Sequence, residues 1–552
     1  MDKFTARLRC GSISVAVITH PGAREYQEDS YGFSELKPDM GRFAAVLADG
    51  MGGLSSGALV SAQTVSGMLS EPLDGADIPG ALVRAAQRTS SDIAAGGTGG
   101  GSTMAEAVVT PEGLYFCSVG DSRIYLRRGS ILTQLTEDQD HFQTLLTHVA
   151  DGSISFRQAV SDKDRDALAQ YMGSGAALSP DRNLRALPLL PGDRIMLCSD
   201  GVYNALTAAE LLQSLMLSAG GAADDILGRI LARGWANQDN FTAIVLEVLP
   251  DYVPEPIPQP PESSVLSVEH SVHTSAGGGS SNEDSVYAGG GIYAVADGLG
   301  GHGNGAKASA QAVRFLAEQE SGDFSTEGIQ ELFSGANSAV RELGGGLTTI
   351  AAGFVQDGRF TFGNVGDSRV YYFRGGRIIS RTRDHSVCQA QVEQGRIDPE
   401  QIRGNENRAQ LLKALGSSDT LEIQQTCEPI EIHPGDAFLV CTDGFWEHVH
   451  ERGMEADLLK SRNSSEWLGH MLKRHIQAAH ENGDNYSAVC GIFTNEPGPR
   501  KKKKRRILPA VIAAVSAVLM ILALAAVLMW LSGGGEIPPD GAAALTGESG
   551  LR

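Results

Sequence analysis

Two stretches of this chain carry the same acidic residues in the same order, and that duplication constrains the fold more than any composition value. The first copy reads Arg24-Glu25-Tyr26-Gln27-Glu28-Asp29, Asp49-Gly50-Met51-Gly52-Gly53, Gly120-Asp121-Ser122-Arg123, Ser199-Asp200-Gly201 and Asp239-Asn240. The second reads Asn282-Glu283-Asp284, Asp297-Gly298-Leu299-Gly300-Gly301, Gly366-Asp367-Ser368-Arg369, Thr442-Asp443-Gly444 and Asp484-Asn485. A period of ~245 residues is too long for a solenoid unit, so it marks a duplicated domain. The register also holds outside the acidic motifs. Gly152-Ser153-Ile154 matches Gly395-Arg396-Ile397, and Pro191-Gly192-Asp193 matches Pro434-Gly435-Asp436.

The 552 residues suit two or three domains, because single cores rarely grow beyond ~250–300 residues. Six prolines between Pro250 and Pro261 can neither continue a helix nor join a central strand, and favour a semi-rigid extended spacer. The expected organisation is therefore a first domain over 10–249, a linker over 250–264 and a second domain over 265–494. Runs at 13–19, 42–47 and 113–136 read as strands, the last as a meander turning at Gly120 and Gly129. Helical spacing marks 57–69, 79–94, 207–218, 305–319 and 326–343, with Thr207 and Glu210 set as a capping box. Hairpin-joined strands with helices clustered apart predict an α+β fold with antiparallel sheets.

A net charge of −21 argues against a general nucleic-acid binder. Seven cysteines, an odd count without a Cys-x-x-Cys pair, fit buried thiols in a reducing compartment better than disulfides or zinc. The C-terminus departs from this acidic character. Residues 500–506 are all basic, and 507–531 then run without a charge. At ~1.5 Å per residue, such a helix crosses a ~30 Å hydrocarbon core. A basic run directly before a span reads as a positive-inside anchor. The expectation is a single-pass membrane protein with both repeats cytoplasmic and a short outer tail, 532–552.

Carboxylates on Gly-flanked turns suit Mg²⁺ or Mn²⁺, which take oxygen ligands and keep several waters. Two such ions ~3.5–4 Å apart activate a water and clamp an in-line phosphoryl displacement, and a nearby Arg grips phosphate in a bidentate fork. A lone Asp-Gly is ordinarily a turn; five acidic sites repeated in order are not ordinary turns. On these motifs both repeats resemble the metal-dependent PPM-type (type 2C) Ser/Thr protein phosphatases, especially the compact bacterial members. That resemblance implies a four-layer α-β-β-α sandwich in each repeat, with helices outside two antiparallel sheets. It also implies hydrolysis of phosphoserine and phosphothreonine on proteins that a Ser/Thr kinase has modified, without a phosphoenzyme.

Carried over by resemblance, Asp49 bridges two metals, the Gly50 carbonyl joins the first, Asp29 acts through water, and Asp200 and Asp239 hold the second. Asp121 corresponds to the ligand of a weaker third ion. In the second repeat these roles fall on Asp297, Gly298, Asp284, Asp443, Asp484 and Asp367. Arg24 matches the phosphate-binding arginine, and the segments from Gly152 to Met172 and from Gly395 to Leu415 resemble a flap beside the cleft. The repeats are not equivalent: position 279, where the second arginine should stand, is glycine. The first repeat has Leu54 where the second has His302, and Asp138-Gln139-Asp140 where the second has Asp384-His385-Ser386. These changes spare the expected ligands, so the first repeat is expected to be the catalyst. The alternative is one catalytic domain beside a regulatory or phosphoprotein-binding pseudophosphatase.

Overall fold

Most strands and helices recur in the same order in both halves of the chain, and the sheets share a strand order apart from Asp2–Leu8 in the first repeat and Ile430–Glu431 in the second. The computed structural model describes residues 2–36, 41–52, 56–73, 77–255, 267–299, 304–419, 423–425, 428–479 and 483–495. The rest of the linker (256–264), the basic run 500–506, the expected span 507–531 and the tail 532–552 lie outside the described residues, as do Leu54 and His302. Among the described residues no helix is long and apolar enough to cross a membrane.

In the first repeat, one sheet runs in the order Asp2–Leu8, Gly11–His20, Phe241–Val248, Arg194–Cys198, Arg123–Arg128 and Ile131–Gln134. Its partner sheet runs Asp181–Arg182, Gly113–Val119, Met104–Thr110, Phe43–Ala48 and Ser30–Phe33. Every pairing is antiparallel. In the second repeat the matching sheets run Ser267–Ser275, Tyr486–Thr494, Ala437–Cys441, Arg369–Arg374, Arg377–Arg381, and Ser285–Gly289, Ile292–Ala296, Ile350–Gln356, Arg359–Val365, Gln424–Gln425. The edge strand Asp2–Leu8 has no counterpart in this second order, and sequence reading did not find it.

The helices are α1 (Ser56–Leu69), α2 (Ile78–Gly96), α3 (His141–Ala150), α4 (Phe156–Ser161), α5 (Asp200–Tyr203), α6 (Ala208–Leu215) and α7 (Ala219–Arg233) in the first repeat. The second contributes α8 (Asn304–Ala317), α9 (Thr326–Arg341), α10 (Val387–Glu393), α11 (Asp443–Trp446), α12 (Glu451–Lys460) and α13 (Ser464–Ala479). Because both faces of each central strand are covered, their sequences read as apolar runs rather than strict alternation. Val15, Val17, Phe43, Leu47, Val109 and Phe116 meet between the sheets. The opposite faces carry Ala44, Val46 and Val108 under α1 and α2, and Ile18, Met196 and Val245 under α6 and α7. The predicted capping box forms: the Glu210 amide donates to Thr207 Oγ1 and the Thr207 amide to Glu210 Oε2.

Two expectations need correction. Residues 113–136 are not one meander, because Gly113–Val119 belongs to one sheet and Arg123–Arg128 to the other. The chain crosses between sheets at Gly120, whose φ of +91° favours glycine. The linker's first residues are not a free spacer either. Tyr252 is buried with its hydroxyl on the Thr110 carbonyl, and the Val253 and Glu255 amides donate to the Cys10 and Pro111 carbonyls. Both repeats lie in one compact unit, Met1–Glu496. The six described cysteines are buried and free; Cys427 is outside the described residues.

Candidate active site

Each predicted acidic residue sits at a strand end, all at the same end of its sandwich. Asp49 directly follows Phe43–Ala48, Asp29 directly precedes Ser30–Phe33, and Asp239 lies just before Phe241–Val248. Asp121 occupies the crossing between sheets, and Asp200 opens α5 after Arg194–Cys198. Burial first, and then the charges of Asp29, Asp200, Asp121 and Asp239, raise the Asp49 carboxyl well above the usual carboxylate range. Burial likewise pushes Asp29, Asp121 and Asp200 up to about 6. The second repeat repeats the pattern: burial, then Asp443, Asp284, Asp367 and Asp484, raise Asp297. Asp284 is pushed to about 7 and Asp443 to about 6, again chiefly by burial. The structure thus brings together all five predicted acidic positions in each half.

Asp29 keeps one oxygen bonded and the other free. Ser199 Oγ donates to Asp29 Oδ2 at 2.8 Å, while the buried Oδ1 has no hydrogen-bond partner. In the second repeat Thr442 Oγ1 donates to Asp284 Oδ2 at 2.9 Å, and Asp284 Oδ1 is again unpartnered. A buried, orphaned carboxylate oxygen is costly unless something satisfies it. Mutually repelling carboxylates with orphaned oxygens fit a divalent cation. Among the described residues, however, no three His, Cys, Asp or Glu side chains close into a metal-holding shell by themselves.

The backbone at Gly50 is buried and closely packed. A Cβ there would lie 2.3 Å from the Gly57 carbonyl oxygen and 2.7 Å from that of Glu28. At Gly298 it would meet Gly305 at 2.3 Å and the Glu283 oxygen at 2.8 Å. Only glycine lets the start of α1 or α8 approach the strand end so closely.

Arg24 stands at the mouth, more than half exposed, with Nη2 donating to Asp239 Oδ2 at 2.7 Å. In the same turn of the second repeat, Gly279 repeats the backbone bond: its amide donates to Ala276 at 2.9 Å, as that of Arg24 does to Pro21 at 3.1 Å. An open cleft of about 600 Å³ adjoins the first site and includes Met51, Gly52, Gly99, Tyr171 and Gly173 in its wall.

Sequence reading passed over the residues that hold these groups in place. Asn240 Oδ1 accepts from the Glu28 amide at 2.7 Å, and its Nδ2 donates to the Pro21 and Tyr26 carbonyls, both at 2.9 Å. Asn485 makes the same set with Glu283, Ala276 and Ser281. The Asp49 amide donates to Thr103 Oγ1, which also pairs with Ser122; Asp297, Thr349 and Ser368 repeat this. Arg123 grips Asp138 through two nitrogens and lies 3.6 Å from the Tyr203 ring centroid, whereas Arg369 grips Asp384 over Trp446. The signal was available, because Asn240, Ser122 and Arg123 lie inside the repeated motifs. The Asp-Gln-Asp substitution also becomes intelligible. Gln139 Oε1 accepts from the Gly120 amide at 3.2 Å, as His385 Nδ1 does from Gly366. Asp140 caps α3 as Ser386 caps α10.

Comparison with known proteins bears on the family. Two family models, each described as Protein phosphatase 2C, match residues 19–225 and 267–464. Serine/threonine phosphatase stp of Listeria welshimeri is 30% identical over 187 residues, which cover 31% of this chain and 73% of that protein. Serine/threonine protein phosphatase PstP of Mycobacterium tuberculosis is 33% identical over 181 residues, covering 31% of this chain. The match spans only 34% of the length of that relative. Among solved structures, the M. tuberculosis serine/threonine phosphatase PstP/Ppp is 28% identical with a TM-score of 0.37, covering 43% of this chain and 99% of its own.

Proposed function

The chain belongs to the protein phosphatase 2C family, and from that premise we propose that it hydrolyses phosphoserine and phosphothreonine on cytoplasmic proteins, chiefly at the first carboxylate cluster. The observation that carries this reading is the twofold occurrence of converging, raised carboxylates with an orphaned oxygen, with Arg24 bonded to Asp239 in the first copy where the second has Gly279.

Asp49, the Gly50 carbonyl, Asp200 and Asp239 would hold two Mg²⁺ or Mn²⁺ ions, with Asp29 acting through water and Asp121 serving a weaker third. In the second repeat Asp297, Gly298, Asp443, Asp484, Asp284 and Asp367 would do the same. Such ions, when bound, supply Lewis-acid charge and lower the pKa of water. The chain's own residues do the rest. Arg24, now paired with Asp239, turns its remaining donors to phosphate oxygens, a geometry that Lys cannot copy. Asn240 fixes the loop on which Arg24 rides. The cleft that begins at Met51 would receive the peptide, with Tyr171 of the flap segment in its wall.

The test is phosphopeptide hydrolysis by the full chain with Mn²⁺ or Mg²⁺. Turnover should require the cation and collapse in the Asp49→Ala/Asp297→Ala double variant; activity retained there would sink the proposal. Tethering to a membrane is a separate part of the reading, supported by the basic run 500–506 and the uncharged stretch 507–531. Deleting 507–531 should release the chain from sedimented membranes, and unchanged sedimentation would count against the anchor. Gly279 favours a second reading for the second repeat, in which it binds metal and assists the first domain rather than matching its turnover.

A further inference from the structure

The second domain grips the first at a segment that is wired to both the site and the flap. Its helix α12 sends Ala456 and Leu459 into the first domain's apolar cluster. Lys460 Nζ pairs with Asp181 at 2.8 Å, and the Leu184 amide donates to the Leu459 carbonyl at 2.9 Å. Helix α13 packs on α3. From α13, His470 Nδ1 meets Glu137 Oε2 at 2.8 Å, Lys473 donates to Glu137 Oε1, and Arg474 donates to the Gln134 carbonyl at 2.8 Å. Burial opposes ionisation of Glu137, yet His470, Lys460 and Lys473 hold its carboxyl below the usual range.

Glu137 begins a short stretch whose every residue carries a connection. The Glu137 amide donates to Asp181, which Lys460 also holds. Asp138 receives Arg123 from the turn bearing Asp121. Gln139 bonds Gly120 through both its amide and its side chain, and its carbonyl accepts from the Ala169 amide in the flap's return. The His141 and Phe142 amides donate to the Ala167 and Arg165 carbonyls. The second repeat has the same internal wiring through Asp384 and His385. There, however, the position of Glu137 is Arg383, whose side chain is 71% exposed and pairs at 4.0 Å with Glu393 of its own repeat.

We infer that Glu137 is a positioning residue through which the second domain sets the flap and the Asp121 turn of the first site, so that the second repeat acts as a built-in subunit of the first. The inference rests on the phosphatase reading for its kinetic consequence, but its structural half stands apart from it.

The test uses the full chain carrying His470→Gln with Lys473→Met, Glu137→Gln, and Lys473→Arg. Amide hydrogen exchange across 139–150 and 165–172 should quicken by about five- to tenfold in the first two and recover in Lys473→Arg. Exchange in the matching second-repeat segment, 385–394, should stay unchanged. For a phosphopeptide, KM should rise several-fold while kcat changes less, and combining Glu137→Gln with Lys473→Met should add nothing to the larger single effect. Unchanged exchange in 139–150 and 165–172, or fully additive effects, would overturn the inference. If the wild-type chain hydrolyses nothing, the phosphatase reading fails, and exchange alone still decides whether the clamp exists.

Discussion

At the scale of the residue, the site is a balance between buried carboxylates and the groups that fix them. Asn240 joins three backbone points of the loop carrying Arg24. Asn240→Ala should cost about 1–3 kcal/mol of unfolding free energy, since it strands partly buried donors and acceptors. It should also raise KM; denaturant titration and steady-state kinetics check the two effects. The carboxylates make a second prediction. Folding raises Asp29, Asp121 and Asp200 from 3.8 to about 6. A carboxyl raised on folding binds its proton more tightly in the native state, so stability falls as pH rises from about 4 through 6. The metal-free protein should therefore melt lower at pH 7.5 than at pH 5, with Mn²⁺ raising Tm more at the higher pH. Thermal unfolding with and without Mn²⁺ reads both. The acidic residues were legible in sequence because two copies exposed them. Asn240 lies inside a repeated motif, but its bond to Glu28, 212 residues away, has no local signature, and Thr103, 54 residues from Asp49, lies outside the motifs.

At the scale of the element, the strongest signals were helices with a clear apolar stripe and a cap. The capping box at Thr207 and Glu210 was read and is present. Helix α7 was missed; its two early glycines and paired aspartates, in AGGAADDILGRILAR, weaken the local helical signal, and tertiary packing of Ile226 and Ile230 supplies the rest. The meander was misassigned because a turn at Gly120 looks alike whether the chain pairs with itself or changes sheets. That crossing is what places Asp121 between the sheets. The start of α1 is equally consequential, since Gly50 and Gly57 touch backbone to backbone. Gly57→Ala would put a Cβ 2.5 Å from Glu28 Oε1 and 3.0 Å from the Gly50 carbonyl carbon. It should cost about 1–3 kcal/mol by overpacking, measured as a lower denaturation midpoint, with weakened Mn²⁺ dependence of Tm.

At the scale of the molecule, duplication made the two-domain plan legible, whereas the contact between the domains was not. Nothing in the sequence pairs His470 and Lys473 with Glu137, because their residue types are those of any solvated surface. The two repeats also differ where function would feel it. At Gly279 a Cβ would lie 3.1 Å from the Ala276 oxygen and 3.4 Å from Asn485 Nδ2, tight but short of a severe clash. In an Asp49→Ala background, Gly279→Arg should therefore raise the residual phosphopeptide turnover by about 10-fold or more, given the value of one oriented donor. The most direct test compares the two single variants of the full chain in Mn²⁺. Asp49→Ala should lose about 10²–10³ in kcat/KM, and Asp297→Ala should keep most of it. Equal losses, or a larger loss from Asp297→Ala, would contradict the assignment of catalysis to the first repeat.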